Sequence, residues 1–243
     1  MTTPPRIPRD CRAVALLVAL GILTYTAWVL EAVLATRLAP ARTYVSELAA
    51  QNQPYGLLFR TTDLVAGVLL WAGGLWALLR LPSRGRWGTA GWSALVLFGT
   101  ATAVDSRLPL SCAPTVDAGC AEREHAGLVP VTHTAHATSS ALAVCGVLLA
   151  MLTLTHTARR AAPGSLLARL GPALVLLELA ATVWTLAAVA VLEEAHGDWS
   201  LGIAQRLQVG LIAVWLGVLA VSVARAGARA TGRPGVLTAQ VRR

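Results

Sequence analysis

The sequence predicts an all-α fold: a polytopic transmembrane six-helix bundle with both termini in the cytoplasm. Three observations carry this expectation. Only 13% of the 243 residues are charged and 56% are hydrophobic, whereas a soluble domain carries about 25% charged residues. Apolar runs long enough for a bilayer core, ~20 residues each, recur along the chain. The arginines alternate between dense and sparse clusters from one gap to the next.

The runs are 13–36, 61–80, 88–105, 131–157, 168–192 and 204–224, the third being short. None shows the strand-like alternation of a membrane barrel. The first follows a basic start, as a signal peptide would. It continues apolar from Ala13 to Leu34 without a small-x-small cleavage site, so it is read as a span. All 20 basic residues are arginine, and the net charge is +8. Because they lie in short clusters between apolar runs, they indicate membrane orientation and not a nucleic-acid partner. Fourteen fall in the N-terminus, the second and fourth loops and the tail, and six on the other side. Positive residues stay inside. Residues 1–12 are therefore a cytoplasmic basic N-terminus, 13–224 the six-helix transmembrane domain, and 225–243 a cytoplasmic Arg-rich tail, expected to be disordered.

The cysteines fit the same orientation. Cys112 and Cys120 both fall in the third loop, on the outer, oxidising side, where they can form a disulfide. Two free thiols are the alternative. Zinc held through them lacks the usual Cys-x-x-Cys pair. Cys11 and Cys145 are expected as free thiols.

Ionisable groups inside spans are costly and mark functional candidates. Here they gather at one face. Glu31 lies toward the outer end of the first span, Ser46 and Glu47 in the first outer loop, and Arg60 and Asp63 at the outer start of the second. Asp105 ends the third, His133 and His136 open the fourth, Glu193 and Glu194 close the fifth, and Arg206 begins the sixth. Only Glu178 lies deeper. The cytoplasmic boundaries offer arginines and little else. This asymmetry predicts an outward-facing polar pocket drawn from Glu31, Ser46, Arg60, Asp63, Asp105, His133, His136 and Arg206.

Within that set, His133 and His136 are three apart and share a helix face. With Asp105 they form a candidate zinc set of two imidazoles and a carboxylate. The competing reading is a hydrogen-bonded network that ties helix ends together. Asp63, Glu31 and Ser46 are the candidate catalytic residues. Ser46 lacks a Gly-x-Ser-x-Gly elbow, and its hydroxyl is expected to cap a short interfacial helix. Arg60 and Asp63, three apart, are expected to pair, and Glu31 to be protonated or paired with an arginine such as Arg60. Gly73-Gly74 permits close helix contact in the second span. There is no P-loop, dinucleotide fingerprint or haem motif.

Tyr44-Val45-Ser46-Glu47-Leu48-Ala49-Ala50 is followed by Pro54, Leu58-Phe59-Arg60 and Asp63-Leu64-Val65-Ala66-Gly67. Asp105, Leu108-Pro109-Leu110, the Cys112/Cys120 loop and the two histidines come next. In order and spacing these resemble the bacterial membrane family filed as domain of unknown function 998, over roughly 13–224. That family is similar to the group containing the damage-regulated autophagy modulators. The resemblance implies a six-helix membrane fold in a bacterial inner membrane and no established reaction. More distantly, Ser46, Asp105, His133 and His136 are similar in order to the ceramidase and progestin/adiponectin-receptor-like superfamily, which uses a Ser, an Asp and three His around zinc to cleave lipid amides. This chain departs from it: the expected His-x-x-x-His is His-x-x-His, a third His has no match, and a seventh helix is missing.

Two functions follow as expectations. One is a non-catalytic membrane protein whose outward pocket binds a lipid, a small amphiphile or a partner membrane protein. The alternative is a membrane-embedded metal-dependent hydrolase of a lipid or amphiphilic amide or ester, with zinc as cofactor.

Overall fold

The computed structural model describes residues 6–82, 85–194, 197 and 199–231. Arg84, His196, Arg233, Arg242 and Arg243 lie outside them. Among the described residues the regular structure is entirely helical, as the missing strand alternation requires. Helix α1 spans Arg6–Tyr25 and is continued by a 3-10 turn, Thr26–Ala32. A second 3-10 turn, Val45–Ala49, lies in the following loop. Then come α2 Gly56–Arg80, α3 Gly85–Asp105, the short α4 Ala118–His125, α5 Val131–Ala161, α6 Leu166–Glu193 and α7 Leu201–Thr231.

The long helices form a closed ring in chain order. α1 packs on α2, α2 on α3, α3 on α5, α5 on α6, α6 on α7, and α7 back on α1. Each long helix packs on the next in the chain, in the manner of an up-and-down bundle; the connections at 81–84, 162–165 and 194–200 are short, whereas 33–55 and 106–130 are long and cover the opposite end. Leu70, Phe98, Met151 and Trp215 fill its axis, each 2% exposed or less. The Trp215 indole donates to Thr155 Oγ1 at 3.2 Å, linking α7 to α5. Many large apolar side chains stay exposed on the outside, Leu23 at 70% and Leu176 at 68% among them. That is the inverse of a soluble surface and the expected face toward lipid.

Five helices are long and apolar enough, by length and composition, to cross a membrane: Pro8–Ala32, Gly56–Arg80, Val131–Ala161, Leu166–Leu192 and Leu201–Ala230, counted among the described residues. The chain is thus built as a multi-pass integral membrane protein. α3, the short third run, is 21 residues long and is not among the five. Its sequence is interrupted by Gly and Thr because it is wedged between α2 and α5 and needs small residues where backbones meet. A Cβ on Gly67 would lie 2.7 Å from the Gly99 carbonyl oxygen and 2.5 Å from the Ala103 nitrogen; one on Gly99 would lie 2.4 Å from the Trp71 nitrogen. The Gly73-Gly74 pair serves the same end, Gly73 against Val18 of α1 and Gly74 against Val96 of α3.

Two boundaries differ from expectation. α1 begins at Arg6, so Arg9 and Arg12 extend the helix below the apolar run. α7 continues to Thr231, so Arg225 and Arg229 are helical; nearby, a Cβ on Gly227 would lie 2.7 Å from the Cys11 Cβ of α1. The bundle therefore has a termini end, where α1 starts and α7 finishes, and a disulfide end, where Cys112 and Cys120 are bonded.

The Gly67–Gly99 crossing gives a direct test. Gly99→Leu should lower the unfolding stability of detergent-solubilised protein by about 3 kcal/mol through overpacking. Gly217→Ala, where an added Cβ meets nothing within 4 Å, should be neutral or slightly stabilising.

Candidate functional site

The candidate polar residues assemble at the disulfide end, in three separate groups. The first centres on Arg206 in the second turn of α7. Its guanidinium grips Glu31 with two parallel bonds, Nε to Oε1 and Nη2 to Oε2, both 2.6 Å. Nη1 donates to the Thr43 and Gly202 carbonyls at 2.9 and 3.1 Å. The two side chains are only 11% and 6% exposed. Glu31 is therefore paired with Arg206, and the alternative of a pair with Arg60 is not realised. Arg60 donates instead to the Ala49 carbonyl at 2.6 Å. The Arg60–Asp63 pair suggested by their spacing does not form either, because the Arg60 side chain turns back toward the first loop.

These bonds hold that loop down on the bundle. Gln205 accepts from the Val45 amide at 2.6 Å. Pro40–Thr43 lies flat on Gly202, whose amide donates to the Ala41 carbonyl at 3.1 Å. Glu47 is fully buried and receives the Thr115 amide at 2.8 Å and the Thr115 hydroxyl. Burial pushes the Glu47 carboxyl up from its ordinary value, against the Thr115 hydrogen bonds that draw it down. Ser46 does not cap the 3-10 turn, as the sequence suggested. Tyr44 is the cap residue and makes no side-chain cap bond, and Ser46 lies inside the turn.

The second group surrounds His133. Its Nδ1 accepts the Ser111 amide at 3.1 Å and lies 2.9 Å from the Ser111 hydroxyl. Accepting an amide proton at Nδ1 places the ring's own proton on Nε2. That nitrogen is buried, has no hydrogen-bond partner, and lies 3.5 Å from a Glu124 oxygen. Glu124 belongs to α4, a helix missed in the sequence although Asp117 caps it by accepting the Cys120 amide at 3.1 Å.

The third group surrounds Asp105. His136 Nδ1 lies 3.1 Å from Asp105 Oδ1 and 3.1 Å from the Leu108 carbonyl. The Ser139 hydroxyl donates to Asp105, and the Ser140 hydroxyl lies 3.1 and 3.2 Å from its two oxygens. His136 and Asp105 thus lie side by side at ion-pair distance, while the hydrogen bonds of His136 go to the Leu108 carbonyl and, at 3.5 Å, Ser140. His133 faces a different set of partners. The donor set for zinc is not assembled: among the described residues no three His, Cys, Asp or Glu side chains are placed to hold one ion.

Between these groups lies a cavity of ≈ 160 Å³ under the Val45–Ala49 turn. Asp63, Asp105, Ser140 and Ser46 line it, with Gln205 and Gln208 from α7 and an aromatic wall of Tyr25, Trp28, Phe59 and Phe98. Tyr25 and Phe98 meet edge to face at 5.8 Å. No Arg or His is among the lining residues. Asp105 is well supplied with donors. Asp63 has no hydrogen-bond or ion-pair partner among the described residues. The Trp28 Nε1 is buried and also without a partner. Gln208 continues inward: its amide donates to Thr182 at 2.8 Å, and Thr182 lies 3.5 Å from Glu178, whose other oxygen is unpartnered.

Of the candidate residues, Ser46, Asp63 and Asp105 reach the cavity, while Glu31, Arg60, His133, His136 and Arg206 brace its surroundings. The sequence reading missed Gln205 and Gln208, and Ser139 and Ser140. Both pairs carry a visible signal: amides three apart in an otherwise apolar run, and hydroxyls one turn beyond His136.

Breaking the Arg206–Glu31 fork leaves a buried charge alone. Arg206→Leu is expected to cost about 3–5 kcal/mol in unfolding stability, and the double variant Arg206→Leu/Glu31→Leu clearly less, because the orphaned carboxylate is then gone. Thermal or denaturant unfolding in detergent reads both.

Comparison with known proteins returned no match among curated proteins and none among solved structures. One family pattern does match, over residues 18–222, most of the helical bundle. The chain belongs to the family described as protein of unknown function, DUF998.

Proposed function

We propose that this protein is a binding protein for a small amphiphile with a cationic, ammonium-type head, taken into the cavity at the disulfide end. In this reading all six long helices cross the membrane, α3 included, with both termini cytoplasmic and the cavity toward the outside. The 14-to-6 partition of arginines supports that orientation. So does the disulfide at the cavity end, since such bonds persist in oxidising compartments.

The observation that carries the ligand class is Asp63. A carboxylate at membrane depth without a partner costs several kcal/mol, and the two acids lining the cavity meet no lining Arg or His. A cation from outside satisfies Asp63 directly. The Tyr25, Trp28, Phe59 and Phe98 wall suits the same ligand, because aromatic faces attract ammonium groups. The free Trp28 donor favours a head that also carries an oxygen acceptor. Size agrees: a cavity of ≈ 160 Å³ has room for one small head group.

The test uses full-length protein in neutral detergent with hexyltrimethylammonium, hexyl sulfate and hexyl glucoside. The ammonium compound should stabilise selectively, by ~2.7 kcal/mol at a hundredfold excess over its dissociation constant. Asp63→Asn should abolish that gain while unfolding normally without ligand. Equal stabilisation by the three heads, or a full response in Asp63→Asn, contradicts the proposal; the latter would mean that Asp63 is satisfied by its own proton.

A further inference from the structure

A second recess lies at the opposite, termini end, in the seam between the start of α3 and the end of α5. It encloses ≈ 240 Å³ and is lined by Trp87, His156, Thr157, Arg160 and Ala161. The Trp87 and His156 rings meet at 5.2 Å, inclined by 56°. The Arg86 guanidinium carbon lies over the same indole, 5.3 Å from the ring centroid. Trp87 thus contacts both a guanidinium and an imidazole, and is 46% exposed.

Two features separate this recess from ordinary basic decoration of a helix end. Neither Arg86 nor Arg160 has a carboxylate partner among the described residues. Asp10 is the one described acid at that end, and it accepts from the Trp76 indole at 3.1 Å. Positive charge is therefore left without a described internal counter-charge beside the recess. In addition, the recess lies where an exposed tryptophan marks the membrane interface, the depth of lipid headgroups.

We infer that the recess lined by Trp87, His156 and Arg160, with Arg86 stacked on Trp87 beside it, is a binding site for the phosphate headgroup of an anionic phospholipid in the leaflet at the termini end. A guanidinium presents paired N–H donors matched to phosphate oxygens. Stacking on Trp87 holds Arg86 near that geometry before the lipid arrives, and the exposed apolar residues of α3 and α5, Leu97 and Leu152 among them, offer the acyl chains a surface beside the head. The inference is independent of the cavity at the disulfide end and requires only that α3 and α5 lie in the bilayer.

Native mass spectrometry of the full-length protein tests it, with phosphatidylglycerol, phosphatidylcholine or inorganic phosphate added. Phosphatidylglycerol should be retained over phosphatidylcholine. Arg86→Gln/Arg160→Gln should weaken that retention by roughly tenfold for each arginine, as expected for the loss of a charge-assisted hydrogen bond to phosphate. Arg159→Gln, which neither lines the recess nor stacks on Trp87, should change retention less than twofold. Unfolding temperature in detergent checks that the variants remain folded, and Trp87→Phe gives a second route, expected to weaken binding without removing charge. Equal retention of the two lipids, an equal loss in Arg159→Gln, or displacement of phosphatidylglycerol by millimolar inorganic phosphate would each overturn the inference; the last would identify a soluble-anion site.

Discussion

Arg206 is held by three stretches of chain at once. Its guanidinium binds the carboxylate at the end of the first helix, the carbonyl of Thr43 in the loop that follows, and the carbonyl of Gly202 in its own helix. A charge this enclosed persists only when every donor finds an acceptor. Its position therefore fixes where the α1–α2 loop crosses the bundle. With that loop in place, Val45 reaches Gln205, Glu47 reaches Thr115, and Arg60 reaches Ala49. The turn carrying Ser46 becomes a roof, and the cavity beneath it follows from that roof together with the ring of helices.

The ring is set by different physics. Lipid gives no hydrophobic drive between helices, so close packing has to hold them together. The Gly67–Gly99 crossing brings the α2 and α3 backbones into contact, and the long side chains of the other helices turn toward lipid. Rigid walls and a pinned roof together explain how a carboxylate such as Asp63 is kept facing a cavity instead of collapsing onto Arg60. The two polar ends of the molecule then divide by charge: carboxylates face the cavity at the disulfide end, and at the other end Arg86 and Arg160 have no acidic partner among the described residues.

Much of the architecture was legible in the sequence because it rests on local pattern. Apolar length locates each long helix, with α1 starting and α7 ending about two turns beyond the apolar runs, and most of the polar side chains near span ends do lie at the disulfide end. The partners within it were not legible. Spacing of three favours Arg60 with Asp63, yet a loop carbonyl eleven residues away takes the guanidinium; Glu31 and Arg206 are 175 positions apart, and nothing local announces them. His133 and His136 share a helix face as their spacing implies. The loop before α5 nonetheless supplies each with its own partner, Ser111 for one and the Leu108 carbonyl for the other. Tertiary contacts made by a loop override side-chain spacing on a helix, and a single sequence carries no record of them.

The state of Asp63 tests the central claim most directly. An experimental structure of the full chain in lipid, resolved well enough to show side chains and bound molecules, is expected to show Asp63 without a protein partner, Arg60 on the Ala49 carbonyl, and density within hydrogen-bonding distance of the Asp63 carboxylate inside the roofed cavity. A structure with Asp63 paired to Arg60 and the space filled by protein side chains would contradict it.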